Sequence, residues 1–399
     1  MLTKSSLTRL QSTSRCLMLS TVLLAFPTVA SAGGRACQCE ALLQGLDSKA
    51  IPGSLKLGNA QHGVLAAQQV GTRPITALAF VGEGGTLAVA ERGADQREGT
   101  PGRLVLLDLT GPTAKVRSTL KATDDMIASM AVTPNGKLLV TGGARWDRSL
   151  SFWNETKGDL GPALKLPQST DWWFKTMQFS NDGRWLATPT SDPAGLVQLW
   201  AVNADARSAE IGPILPGPAW SLSAVAFHPE DRFLAAGLGS AHHHPNDGRL
   251  LLWDLSAQPA KLVSQASIIP TGEKGHYDIT ALVFSRDGKT LVTGDQMGSI
   301  RTWSVDHEGQ LVKGAVLAAP TGSRSAIQSL VTTFNGNVIS SAYDGSVNVW
   351  DLDTGKSCES WNFGSGSTVL AMAPSMRHLA VGLDNGRVYI VRLGNKALE

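Results

Sequence analysis

Short runs of alternating hydrophobic and polar residues recur along this chain, each followed by a turn and a second apolar run. The clearest copies are Ile279–Trp303 and Ile327–Trp350, and both end on a tryptophan. Alternation with a period of two is typical of β-strands that bury one face. The pattern therefore predicts short strands along the chain and gives no helical periodicity.

The alternating runs begin units that share one order of strands and turns. Four units place Asn-Gly or Asp-Gly after the first strand, a pair that accepts positive φ and joins antiparallel strands. The first strands are predicted at Ile75–Phe80, Ile127–Val132, Phe174–Phe179, Leu222–Phe227, Ile279–Phe284, Ile327–Thr332 and Val369–Ala373. Repetition at roughly fifty residues indicates a radial array of small sheets.

Counting the units predicts an all-β fold, a seven-bladed β-propeller of four-stranded antiparallel blades. The last unit has only three strands, and the strand-like stretch Val64–Val70 precedes the first unit. That stretch should supply the missing strand, so that an N-terminal strand closes the ring and removes both open edges. The third strands are predicted to end at Leu107, Trp153, Trp200, Trp253, Trp303, Trp350 and about Val391.

The units resemble WD40 repeats, a family of β-propellers. Trp253-Asp254 and Trp350-Asp351 match the family's dipeptide, and Gly275-His276 matches its glycine–histidine pair. The resemblance covers roughly residues 62–394 and implies a scaffold that binds proteins without catalysis. It also implies structural roles in a buried polar network for His276, Thr293, Ser340, Asp344 and Trp350.

The first 32 residues have the features of a secretory signal peptide. Lys4, Arg9 and Arg15 precede the apolar run Leu17–Val29, and Ala30-Ser31-Ala32 supplies small residues for cleavage. We therefore expect a signal peptide at 1–32, an N-terminal tail at 33–61 and the propeller at 62–394. The expected location is the periplasm or the outside of the cell.

The charge balance argues against nucleic acid as a partner. The whole chain carries 35 basic and 33 acidic residues. Removal of three basic residues with the signal peptide would leave 32 against 33, a net charge of −1. A near-neutral surface lacks the positive potential that nucleic acid or anionic membrane requires. We expect a monomer that does not insert into membranes after cleavage.

Three cysteines remain after the expected cleavage, because Cys16 lies in the signal peptide. An oxidising compartment favours disulfides, so Cys358 is predicted to pair with Cys37 or Cys39. Such a bond would tie the tail to the last blades. Three unpaired thiols remain the alternative.

Four successive units lengthen the connection between their second and third strands. In a propeller this connection lies on the same rim as the connection to the next blade, and we call that rim the top. Loops of uneven length on one face usually mark a binding face. The same rim should receive several tryptophans, which would either form an aromatic platform or pack between blades. The predicted binding residues are Arg145, Trp146, Trp172, Trp173, Trp220, Arg324 and Tyr343.

No catalytic motif is found, and no cofactor is predicted. His242, His244 and Asp247 form a weak metal candidate, because adjacent histidines rarely converge on one ion and a solvated loop explains them as well. The predicted function is a non-catalytic scaffold that binds a protein or peptide through its top face. The alternative is a periplasmic propeller enzyme or glycan-binding protein with a site at the central axis.

Overall fold

Seven four-stranded antiparallel sheets make up the computed structural model of this chain, and they form a seven-bladed β-propeller. The described residues all belong to one compact unit, Cys37–Glu399, whereas the unit Met1–Ala36 lies outside them. The predicted fold class is therefore confirmed. The structure describes residues 64–93, 102–111, 113–122, 126–143, 149–167, 174, 176–189, 197–203, 209–217, 221–239, 248–269, 277–317, 325–364, 366, 368–376 and 378–393.

The first two strands of each blade are joined by a tight turn. The innermost strands are β2 (Ile75–Val81), β6 (Ile127–Val132), β10 (Gln178–Phe179), β14 (Ser221–Phe227), β18 (Ile279–Phe284), β22 (Ile327–Thr332) and β26 (Val369–Met372). The second strands are β3 (Thr86–Glu91), β7 (Leu138–Gly143), β11 (Trp185–Pro189), β15 (Phe233–Gly239), β19 (Thr290–Asp295), β23 (Val338–Ala342) and β27 (His378–Gly382). The Asn-Gly and Asp-Gly turns do place glycine at positive φ, as at Gly136 and Gly288.

The third and fourth strands complete each blade toward the outside. The third strands are β4 (Arg103–Asp108), β8 (Ser149–Thr156), β12 (Val197–Val202), β16 (Arg249–Asp254), β20 (Ile300–Val305), β24 (Ser346–Asp351) and β28 (Arg387–Arg392). The outer strands are β5 (Lys115–Lys121), β9 (Asp159–Pro167), β13 (Ala209–Leu215), β17 (Lys261–Ser267), β21 (Leu311–Leu317), β25 (Lys356–Asn362) and β1 (Val64–Gln69).

The ring is closed by β1, which is the outer strand of the seventh blade. It pairs antiparallel with β28, and Gln69 lies opposite Arg387 at one end of the ladder. The chain then crosses to the first blade, where the Ile75 N–H donates to the Leu383 carbonyl at 3.0 Å. The predicted closure by an N-terminal strand is confirmed.

The hydrophobic core is divided among the interfaces between neighbouring blades. Seven clusters of buried apolar side chains each combine two adjacent blades. In one cluster Leu291 and Trp303 of the fifth blade meet Phe233 of the fourth. Burial of apolar area is the main stabilising contribution in such a fold, so no blade is a stable unit by itself.

Hydroxyl groups on the inner strands connect neighbouring blades close to the axis. Thr76 Oγ1 donates to the carbonyl of Ile127 at 2.7 Å, and Ser129 Oγ donates to that of Phe174 at 2.5 Å. Ser223 Oγ makes the corresponding bond to the carbonyl of Ile279. These bonds restrict the rotation of one blade relative to the next, because each joins the inner strand of one blade to the inner strand of the next or to the chain just before it.

One predicted strand is shorter than expected. The alternating pattern predicted Phe174–Phe179, but β10 covers only Gln178–Phe179. Phe174 is instead held to the second blade, where its side chain is buried and its carbonyl accepts the Ser129 hydroxyl. The chain therefore contacts the preceding blade before it begins to pair with β11.

A half-buried carboxyl group on β25 predicts a stability that depends on pH. Burial raises the pKa of Glu359 from 4.5 to about 7. The folded state then binds a proton that the unfolded state has lost, so stability is highest below about pH 4.5 and falls as the pH rises to 7. We expect Glu359→Gln to be about 2 kcal/mol more stable than wild type at pH 8 and nearly equal at pH 4.5.

Urea unfolding at both pH values measures this difference. Glu308→Gln, at an exposed side chain on the fifth blade, serves as the control and should leave the difference between pH 4.5 and pH 8 unchanged. An equal pH slope in wild type and Glu359→Gln would contradict the assignment.

Candidate functional site

One rim of the propeller, the top face, collects two kinds of connection. Second strands end there and third strands begin there, and the connection from each outer strand to the next blade crosses the same rim. The turns within the first hairpin of each blade lie on the opposite rim, the bottom face. The described strand ends that flank the uneven loops predicted from the sequence therefore lie at the top face.

Four blades show the same backbone hydrogen bond at the top face. A residue one or two positions after the second strand donates its N–H to a carbonyl one to three positions before the first strand, at 2.8 to 3.3 Å. The donor and acceptor pairs are Arg92 with Pro74, Gln296 with Asp278, Tyr343 with Ala326 and Asp384 with Gly366. These four donors, the rim positions, have equivalent places on a rigid turn.

The side chains at the rim positions differ in every one of these blades. Arg92 is basic, Gln296 carries an amide, Tyr343 is aromatic and Asp384 is acidic. Tyr343 is 58% exposed, and Met297, beside Gln296, is also exposed. A constant backbone thus presents variable chemistry to solvent.

An ion pair between a buried glutamate and a half-exposed arginine supports the top of the first blade. Glu91 is almost fully buried, and Arg103 Nε donates to its carboxylate at 2.7 Å. The N–H of Arg73 donates to the same carboxylate at 3.3 Å. Gly71 contacts Glu91 so closely that a Cβ atom at that position would overlap the carboxylate. The pairing keeps Glu91 from being a buried charge without a partner.

The fifth blade has a corresponding acidic residue, Asp295. It accepts the N–H groups of Met297 and Ser299 at 2.9 and 2.8 Å. Burial raises the pKa of Asp295, and burial lowers the pKa of the neighbouring Arg301 while the Asp295 charge partly offsets that effect. The Asp295 carboxylate therefore stabilises the turn that presents Gln296 and Met297.

One of the seven predicted binding residues lies in the described part of the chain. Of that set, the structure describes Tyr343, which lies at a rim position and is exposed. Arg145, Trp146, Trp172, Trp173, Trp220 and Arg324 lie outside the described residues. The metal candidates His242, His244 and Asp247 also lie outside them, as does His276.

The tryptophans at the ends of the third strands are bonded to hydroxyl groups inside the blades. Trp350 Nε1 donates to Ser340 Oγ at 2.8 Å, and Trp303 Nε1 donates to Thr293 Oγ1 at 3.2 Å. Asp344 lies apart from this pair, in the turn where it accepts the N–H and hydroxyl of Ser346.

The third blade repeats the tryptophan bond and the fourth varies it. Trp200 donates to Thr188 at 3.1 Å, a partner that the sequence analysis missed. Trp253 instead donates to the Pro216 carbonyl at 3.0 Å, because the corresponding second-strand position holds Ala236, which has no hydroxyl. The tryptophan Nε1 is thus satisfied by whichever acceptor the blade offers, as a buried donor requires.

A channel of about 290 Å³ lies at the centre of the ring and is lined by all seven blades. The described residues of its lining are uncharged, with hydroxyl and amide groups among alanine, leucine, methionine and valine. Thr76, Thr280, Gln178 and Gln328 supply polar groups there. The axis therefore offers hydrogen bonds but no described charge.

Cys358 of β25 is disulfide-bonded. The other cysteines of the chain, Cys16, Cys37 and Cys39, all lie outside the described residues. Pairing with Cys37 or Cys39 therefore stays a prediction. Within the described part of the chain no group of three or more potential metal ligands is found, and no helix there is long and apolar enough to cross a membrane.

Four segments match the family model described as "WD domain, G-beta repeat". The matched residues are 114–154, 212–254, 269–304 and 314–351. These segments end in or just after the third strands of the second, fourth, fifth and sixth blades. Three of them begin in an outer strand, or just before it, so a sequence repeat straddles two blades.

Several curated proteins are similar to parts of this chain. Protein ROOT INITIATION DEFECTIVE 3 of Arabidopsis thaliana is 27% identical over 49% of the chain and 42% of its own length. The nuclear distribution protein nudF of Aspergillus niger is 25% identical over 60% of the chain and 52% of its own length. Cilia- and flagella-associated protein 44 of Mus musculus is 27% identical over 49% of the chain and 10% of its own length. The chain thus matches about half of these relatives' length at most.

Proposed function

Because this chain belongs to the WD40-repeat family of β-propellers, we propose that it is a non-catalytic scaffold that binds a protein or peptide through its top face. Propellers of this family generally mediate protein–protein interactions. The match covers only part of each relative's length. We therefore infer the partner from the surface of this chain and not from the relatives.

The observation that carries the proposal is the set of rim positions. Four blades hold the same turn with the same hydrogen bond, yet they display an arginine, a glutamine, a tyrosine and an aspartate. Packing or turn formation does not require this variety, because the backbone bond forms with every one of these residues. Exposed tyrosine and arginine side chains contribute much of the affinity in protein interfaces.

The lining of the axis also favours a scaffold over the alternative function. An enzyme or glycan site at the axis would bring charged residues together around the channel. The described side chains there are uncharged, and several of them are alanines. Acid–base chemistry on a substrate usually requires groups such as histidine or carboxylates within hydrogen-bond reach.

The proposed location is the periplasm or the outside of the cell. The N-terminal sequence supports it through the basic start, the short apolar run and the small residues at 30–32. The disulfide bond of Cys358 also supports an oxidising compartment.

Affinity capture from periplasmic extract tests the function. Bait proteins are wild type, Tyr343→Ala, and a double variant with Trp146→Ala and Trp172→Ala. We expect recovery of the partner to fall at least about fivefold for Tyr343→Ala and further for the double variant, because aromatic anchors in an interface carry a large share of the affinity.

Phe334→Ala is the matched control. Phe334 is an exposed aromatic residue on the bottom face, beside the turn at Gly336, so its removal should leave recovery unchanged. Equal recovery by all four baits would remove the claim for the top face. Thermal unfolding of each bait verifies that the comparison is made among folded proteins.

A further inference from the structure

The bottom turn of the fourth blade differs from its counterparts at the position just after the inner strand. In four other blades this position holds a buried serine or threonine whose backbone N–H donates across the hairpin: Thr133, Ser180, Ser285 and Thr333. In the fourth blade the same bond is made by His228, whose N–H donates to the carbonyl of Phe233 at 2.9 Å. A buried imidazole therefore replaces a hydroxyl group.

The His228 ring joins the fourth blade to the fifth. It lies nearly perpendicular to Phe233 of its own blade, with ring centroids 5.6 Å apart, and to Phe284 of the fifth blade at 5.3 Å. Both phenyl rings belong to the apolar cluster between these blades. Gly288, in the bottom turn of the fifth blade, lies so close to Nε2 that a Cβ atom there would overlap the imidazole. The ring thus fills the bottom end of the interface.

The same turn is bonded to the third blade. Asp231 has a positive φ of 56°, where the second, third and fifth blades have glycine. Its carboxylate accepts the N–H groups of Asn181 and Asp182 at 2.7 and 2.8 Å. Asn181 Nδ2 also donates to the carbonyl of His228 at 3.0 Å. Displacement of His228 would therefore disturb the contacts of the fourth blade with both of its neighbours.

The contacts of His228 require a neutral imidazole. Its Nδ1 accepts the N–H of Glu230 at 3.1 Å, and a ring nitrogen that accepts a hydrogen bond carries no proton. In the protonated ring both nitrogens are donors, so this bond would be lost. The guanidinium of Arg232 already lies over the Phe233 ring, 4.7 Å from its centroid. A second cation beside the same ring would therefore be repelled by Arg232.

Charged groups surround His228 on several turns. Glu230, Asp231 and Arg232 belong to its own turn. The bottom turns of the third and fifth blades add exposed charged side chains: Asp182, Arg184, Arg286, Asp287 and Lys289. A further turn of the fifth blade, packed against Phe233 at Gly309, adds the exposed residues 306–308. The half-buried Asp231 is thus held by the third blade, and the other groups of these turns are exposed to solvent.

Burial makes the proton on His228 less favourable in the folded chain. It lowers the pKa of His228 below 6.5, although the charges of Glu230 and Asp231 and a hydrogen bond with the Gly288 backbone act in the opposite direction. The Arg232 charge adds to the lowering. The unfolded chain therefore binds this proton more readily than the folded chain. The stabilising contacts are complete above about pH 6.5 and are lost as the pH falls below that value.

We propose that His228 makes the bottom of the interface between the fourth and fifth blades sensitive to acid. The neutral ring holds the two bottom turns together through its contacts with Glu230, Phe284 and Gly288. On protonation the bond from Glu230 is lost, the ring moves away from Phe284, and both turns open to solvent. This inference goes beyond the proposed function, because the top face takes no part in it.

Hydrogen–deuterium exchange tests the proposal through the amides of the bottom turns. The N–H groups of Asp231 and Gly288 donate within the turns of the fourth and fifth blades, and that of Gly136 in the second blade serves as the reference. Protection factors at pH 7.5 and pH 5 remove the intrinsic pH dependence of exchange. We expect protection at Asp231 and Gly288 to fall at least about fivefold on acidification, and that at Gly136 less than about twofold. The reference also corrects for global effects such as that of Glu359.

Three variants of the full chain assign the effect to one side chain. His228→Gln cannot titrate and should abolish the change in protection. His228→Thr restores the residue type that the second and sixth blades have at this position, and it should also be insensitive to acid. His307→Gln is the matched control, because His307 is an exposed histidine on the fifth blade and its loss should leave the change intact. Thermal unfolding at pH 7.5 verifies that each variant is folded.

An NMR titration of the wild-type imidazole keeps the test independent of the variants. We expect the His228 ring to titrate below pH 6.5. A midpoint above that value would overturn the inference, as would unchanged protection of the wild-type turns or an equal fall in wild type and His228→Gln. None of these results affects the capture experiment with Tyr343→Ala, so this inference and the proposed function fail separately.

Discussion

A chain that begins at Val70 is expected to lose at least about 4 kcal/mol of stability, because it lacks the strand that closes the ring. Each ladder hydrogen bond contributes about 1 kcal/mol, and β1 pairs with β28 over its whole length. Loss of β1 also exposes the cluster between the seventh and first blades, against which Ala66 packs. Urea unfolding followed by tryptophan fluorescence measures the difference.

The matched control is a chain that begins at Gly63. Both shortened chains lack the preceding residues, including Cys37 and Cys39, so their difference isolates β1. The chain from Gly63 should unfold in one cooperative transition, while the chain from Val70 should show an early transition of the last blade. Equal stability of the two chains would show that β1 does not hold the ring closed.

Replacement of Trp303 by alanine is expected to destabilise the protein by about 3–5 kcal/mol, the cost typical of a buried tryptophan. Trp303 is 1% exposed and belongs to the cluster between the fourth and fifth blades. Its Nε1 group also donates to Thr293, so both packing and a hydrogen bond are lost. Urea unfolding at pH 7 measures the change.

Thr293→Val separates the hydrogen bond from the packing. Valine has nearly the shape of threonine but leaves Trp303 Nε1 buried without its acceptor, which costs about 1–3 kcal/mol. Phe334→Ala, at an exposed aromatic residue, should cost less than about 1 kcal/mol. A decrease of less than about 1 kcal/mol in the free energy of unfolding of Trp303→Ala would mean that this cluster contributes little to stability.

The architecture could be predicted because its determinants are local in sequence. Asn135-Gly136 and Asp287-Gly288 fix hairpins within a few residues, and the tryptophans mark the third strands at regular spacing. The short β10 escaped prediction for a reason that is not local. Phe174 has the alternating pattern of a strand, but its carbonyl is taken by Ser129 of another blade.

The rim positions could not be predicted, because they share a backbone bond and no residue type. Nothing in Arg92, Gln296 or Tyr343 marks them as equivalent until the strands are paired. The ion pair of Glu91 with Arg103 spans the longest predicted loop, so sequence distance hides it. Thr188 was missed because the neighbouring Pro189 does not resemble the family's pattern.

The offset between sequence repeat and blade has a consequence for how the ring can change size. Three of the matched segments carry the outer strand of one blade, or most of it, together with the first three strands of the next. Gain or loss of one such segment would add or remove a blade while every outer strand kept a partner. Pairing of β1 with the last blade would then close a ring of six or eight blades in the same way. Tandem duplication or loss of one segment could therefore change the number of blades in a single event.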